Sequence, residues 1–140
     1  MIEVVGQSGP ILLITVSTSP TGEQIAAAVN RIYPAHDFKH TLWDLRPCGL
    51  DAFTADHFAY VGLTSARRAK SRGADPRTGV LVNSRVEELT IAAFAGQAER
   101  LSPVRFWAST NRQALIDWLL TGVRPDDATI AAADGEDPKA

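Results

Sequence analysis

Five short apolar runs punctuate the chain, and between them apolar residues recur at helical spacing. Ile11-Leu12-Leu13-Ile14-Thr15-Val16 is apolar on both sides of its alternation, so it reads as a strand covered on both faces. Ile2–Val5 precedes it across Gln7-Ser8-Gly9-Pro10, turn chemistry that joins the two as a hairpin and leaves the shorter run at the edge. Thr41-Leu42-Trp43-Asp44-Leu45-Arg46, closed by Pro47-Cys48-Gly49, is a third strand, and Gly79–Val82 and Val104–Trp107 are two more.

Helices fill the gaps. Ile25, Ala28, Val29, Ile32 and Tyr33 share one face, and Pro34 ends that helix. Its start admits two readings: Ser19 as cap with Pro20 in the first turn, or a capping box of Thr21 with Gln24. Thr54 opens a second helix, with a small-residue stripe from Ala55 to Ala69 and a basic end, Arg67, Arg68, Lys70 and Arg72, before Gly73. Ser84 with Glu87 caps a third, running to about Leu101, and Thr110 with Gln113 caps a fourth whose face is Ala114, Leu115, Trp118 and Leu119. The order predicts an α/β fold: a mostly parallel five-stranded sheet with an antiparallel N-terminal edge strand and helices on both faces.

The third helix carries more apolar surface than one sheet face requires. Val86, Leu89, Ala93 and Gly96 form one stripe, and Ile91, Phe94, Ala98 and Leu101 another; together they cover an arc of about 200°. The first stripe is expected to face the sheet. The second is expected to be at least partly uncovered, either packing on the last helix or forming a homodimer interface with Phe94 at its centre.

Composition narrows the class. A chain of 140 residues with 45% hydrophobic content suffices for one domain with a real core, placed at 1–124. Residues 125–140 are acidic, small and patternless, and are expected to be a disordered tail. A net charge of −2 argues against nucleic-acid binding. A lone cysteine, Cys48, suits a reducing cytoplasm, and no apolar run reaches the roughly 18 residues of a transmembrane segment.

Candidate chemistry gathers after the third strand. A carboxylate inside a sheet is costly unless hydrogen-bonded, so Asp44 belongs at the strand's C-terminal end, where open α/β sheets place their sites. It is expected to be ionised and held by donors at the start of the Thr54 helix. Cys48 and His57 could join Asp44 as a nucleophilic site, but a structural cysteine beside a helix-start histidine is the preferred reading. Thr54 reads as an N-cap ahead of a phosphorylation site. His36, Asp37 and His40 have the types of a metal site, yet precede the strand and read as solvated loop; no metal or cofactor is expected. The arginines from Arg67 to Arg77 could meet an anionic lipid or phosphoprotein, and read instead as dipole compensation and a solvated face. No GxSxG, P-loop or GxGxxG sequence marks an enzyme, and no catalytic residue is assigned.

The strands Leu42–Arg46, Gly79–Val82 and Val104–Phe106, followed by Gln113-Ala114-Leu115-Ile116-Asp117-Trp118-Leu119, resemble the STAS-like proteins, specifically the SpoIIAA-like group of small bacterial proteins. The resemblance runs from about Ile2 to Leu120. It implies a STAS-type fold, akin to the CRAL-TRIO lipid carriers, and regulation or ligand binding in place of a reaction. In the anti-sigma-factor antagonists of this group, an Asp-Ser-Ser-Gly motif follows the central strand and its second serine is phosphorylated. The matching stretch here is Ala52-Phe53-Thr54-Ala55, so Thr54 falls on that serine while the other three residues are missing. Two functions follow: a non-enzymatic module contacting a protein partner or itself, and a carrier or sensor of a small apolar ligand or lipid held between sheet and helices.

Overall fold

The computed structural model of the protein describes residues 1–51, 57, 64 and 67–124. Thr54, most of the helix it was expected to open, and the acidic segment 125–140 lie outside these residues. Five strands form one sheet: β1 (Ile2–Ser8), β2 (Ile11–Val16), β3 (His40–Asp44), β4 (Arg77–Leu81) and β5 (Arg105–Ser109). They lie side by side in chain order; β1 is antiparallel to β2, and every other neighbouring pair is parallel. The edge strand is longer than its apolar run, because a bulge at Val5 lets pairing continue through Gly6 to Ser8.

Side chains alternate across each strand, so the pairing register fixes what each face presents. Ile14, Trp43, Val80 and Ala108 stand in one row, and Leu13, Leu42, Gly79 and Trp107 in the next. The first row faces α1 (Gly22–Ile32) and α2 (Arg85–Leu101): Ile25, Val29, Ile32 and Ile91 join Leu12, Ile14, Trp43 and Val80 in one core. Both helices cover the same face because strands laid down in one direction send their right-handed crossovers to one side. The opposite face is covered by α3 (Arg112–Thr121), whose Leu115, Trp118 and Leu119 pack on Ile11, Leu42 and Leu81. Helices therefore lie on both faces, as expected.

The caps settle what the pattern left open. At α1, Thr21 accepts from the Gln24 N–H at 3.1 Å and Gln24 Oε1 accepts from the Thr21 N–H at 2.9 Å, completing the box. At α3 the cap is Asn111, one residue later than expected, accepting from the Ala114 N–H; Gln113 turns along the helix to Asp117. Gly122 ends α3 in the left-handed region at φ 77° and donates to the Trp118 carbonyl at 2.7 Å.

Gly79 lets α3 approach. A Cβ there would meet Leu42 at 3.3 Å and Leu115 and Leu119 at 3.4 Å each, all three nearly or wholly buried. Gly79→Ala is therefore expected to lower stability by roughly 1–3 kcal/mol through overpacking. Urea titration reads this directly, and an unchanged midpoint would show that the helix can step back freely.

Candidate functional site

Asp44 closes β3 at the C-terminal edge of the sheet, as its polarity requires. Among the described residues its partner is Arg46. The Arg46 backbone N–H and Nε donate to Asp44 Oδ1 at 3.0 and 2.9 Å, and Nη2 donates to Oδ2 at 2.8 Å. The described donors come from two residues along the chain: β3 stops at Asp44, so the turn brings Arg46 back over the carboxylate, while the start of the Thr54 helix, where donors were expected, lies outside the described residues. Burial alone would raise the Asp44 pKa; the Arg46 hydrogen bonds and charge outweigh it, aided by Arg112, and hold the carboxyl below its usual range. Carboxylate and guanidinium remain 23% and 47% exposed, so this pair can meet a partner.

Glu87 fixes the floor of this rim. Ser84 caps α2 by accepting from the Glu87 N–H, but the Glu87 carboxylate does not return to its own cap. Oε1 accepts from the Asn83 N–H at 2.7 Å and Oε2 from the Leu50 N–H at 3.1 Å. Asn83 Nδ2 in turn donates to the Arg46 carbonyl at 2.9 Å. One carboxylate thus ties the loop after β3 to the turn before α2. The capping-box spacing marked Glu87 in the sequence; nothing local could mark Leu50, 37 residues away, as its second partner.

Cys48 lies half-buried in that loop, its thiol against the Leu45 and Gly49 carbonyls. Burial pushes its pKa up, and the Glu87 and Asp44 carboxylates add to the rise. A nucleophilic cysteine needs the opposite environment. His57 is helical and half-buried.

The metal-type residues separate. His36 Nδ1 donates to the Ile32 carbonyl at 2.9 Å, while His40, 3% exposed, accepts the Arg77 N–H at 3.1 Å. His40 is therefore a buried structural residue at the start of β3, not solvated loop. The basic stretch is also less solvated than expected. Arg72 is 3% exposed and donates to the Lys39 and Arg77 carbonyls and Thr78 Oγ1, with Tyr33 and Phe38 beside its guanidinium. Arg77 is buried too, bonded to the Leu119 carbonyl and Asp75. The backbone carbonyls at the N-terminal edge of the sheet need donors, and these arginines supply them.

The two stripes of α2 are exchanged relative to expectation. Ile91 is buried in the same core as the α1 face, and Ala95 and Ala98 pack against Ala69, Val104 and Phe106. Phe94 is half-buried; the Leu101 side chain lies outside the described part. Val86 and Leu89 point outward, 72% and 54% exposed, with Ala93 and Gly96 exposed on the same stripe. Glu87 decides the rotation: pinned inward to Leu50 and Asn83, it carries Ile91, four residues on, inward with it.

No helix among the described residues is long and apolar enough to cross a membrane. No family model and no curated protein matches the chain. A solved structure does: an uncharacterized protein of the DUF3478 family, with a SpoIIAA-like fold, from Shewanella loihica. It is 17% identical over 84% of this chain and 93% of its own, with a TM-score of 0.53. At that identity the likeness shows the fold, and the fold is SpoIIAA-like.

Two outcomes follow for acid and for mutation. Burial, with Arg77, Arg72 and Lys39 nearby, lowers the His40 pKa from 6.5 to about 4. The unfolded chain binds that proton more readily, so stability is full above pH 6.5 and falls as pH drops toward 4, by up to about 3 kcal/mol. Asp44, with its lowered pKa, loses its contribution at still lower pH. Urea midpoints across pH 4–7 should show the first limb, and His40→Asn should flatten it; an unflattened limb would assign it to other groups. Asp44→Ala should cost on the order of 1 kcal/mol, modest because both partners are solvated, and the same titrations read it.

Proposed function

We propose that the chain is a non-enzymatic interaction module that works through protein–protein contact. Its partner-facing surface is the rim of Asp44 and Arg46 together with the outward stripe of α2. The observation that carries this reading is the exposure of Val86 and Leu89, 72% and 54%, on the turns that also supply Glu87 to the rim. Large aliphatic side chains left exposed together on one helix suit a contact surface, since soluble monomers tend to hide such patches. The thiol chemistry supports the same choice: Cys48, with its raised pKa, lacks the activated thiolate a nucleophilic enzyme requires. A regulatory role of this kind is also what the SpoIIAA-like resemblance implies.

Native mass spectrometry of the protein drawn from its own cells tests the reading. The expected result is a complex of protein mass whose crosslinks fall on α2 or on the rim. A lone chain carrying a lipid-sized adduct would overturn it in favour of an apolar-ligand carrier.

A further inference from the structure

The outward face of α2 has a period that a merely solvated helix does not need. Val86, Leu89, Ala93 and Gly96 follow one another at steps of three, four and three, the a and d positions of two heptads. Ile91 and Ala98, seven apart, occupy the position opposite that seam and pack on the domain. The helix therefore uses one side for its own core and presents a complete seam on the other.

The seam is graded in size. Its first half carries Val86 and Leu89; its second half carries Ala93 and Gly96, and a Cβ built on Gly96 would meet nothing within 4 Å. A parallel copy would set large against large at one end and leave a gap at the other. An antiparallel copy sets Val86 opposite Gly96 and Leu89 opposite Ala93, twice over by the two-fold axis, so bulky layers fill small ones along the seam.

Charge gives the same orientation independently. Arg85, with its side chain 76% exposed, and Glu99 lie along one flank of the seam, near its opposite ends. Ala92, exposed between them, leaves that flank open at its centre. In the antiparallel arrangement this flank meets its own copy, bringing each Arg85 to the other chain's Glu99. Among the described residues Arg85 has one weak intrachain partner, Glu88 at 3.6 Å, while Glu99 Oε1 accepts the Phe106 N–H at 2.8 Å and its other oxygen carries the contact between copies. Arg100 lies past the last paired layer.

From these two complementarities we infer that α2 is a self-recognition surface, and that its occupant is a second copy of this chain packed antiparallel about a two-fold axis. The inference rests on the interaction reading above and names the partner. A seam from Val86 to Gly96 spans about three turns, roughly 15 Å, so the contact is small and the dimer is a weak, reversible one.

Sedimentation velocity on the full chain, from about 1 µM to about 1 mM, reads the association. Wild type should shift from monomer to dimer within that range. Leu89→Glu should keep its circular dichroism and weaken association by about tenfold or more, since a charge is stranded in the seam. Arg85→Glu and Glu99→Arg chains should each associate poorly alone and pair when mixed, because the mixture restores opposite charges at both ends. Glu99 also accepts the Phe106 N–H, so the folding of that variant is checked first. A wild type monomeric at about 1 mM overturns the self-pairing, as does association that Leu89→Glu leaves intact. A mixture no tighter than its components overturns the antiparallel register. These failures leave the interaction reading to the native mass measurement, which reads any protein partner and so fails separately.

Discussion

A sheet whose strands follow one another in order receives its crossover helices on one face, and the other face must be closed by something else. Among the described residues that closure falls to α3, the helix that follows the last strand. Its fit depends on the row Leu13, Leu42, Gly79 and Trp107, where the missing side chain at Gly79 makes room for Leu115 and Leu119. Trp118 fills the space beside them and meets Trp107 edge-on at 5.8 Å. Without α3, that whole apolar row would face water.

The same winding shapes the candidate site. Open α/β sheets form a ligand crevice where their strand order reverses; this order runs from β1 to β5 without reversal. Among the described residues the C-terminal edge is a stitched rim, tied by Glu87, Asn83 and Arg46, with Asp44 paired on the spot to its neighbour. Such a rim suits recognition by another surface. The opposite edge is a buried polar knot of His40, Arg72, Arg77 and Thr78, whose donors serve carbonyls at the strand starts and at the end of α3. The two edges thus differ: one is a buried anchor of the fold, and the other carries an ion pair that stays partly exposed.

The sequence by itself determined whatever depends on near neighbours. Alternation placed Trp43, and Leu45 just past the strand, on one side of β3 and Leu42 on the other, and the polarity of Asp44 placed it at the strand end. Hairpin chemistry, the apolar runs and the helical spacings gave the element order, and with it the α/β class. Tertiary structure decided what depended on distant partners. Two stripes of α2 had comparable apolar character, and the choice between them fell to Glu87, whose carboxylate binds Leu50 across the chain and turns Ile91 inward. Arg72 and Arg77 belong to a run that looks solvated, yet each is buried because the carbonyls of Lys39, just before β3, of Arg77 in β4 and of Leu119 in α3 take their donors. Periodicity tells a helix that it has faces; only the groups waiting in the folded chain determine which of them turns to the core.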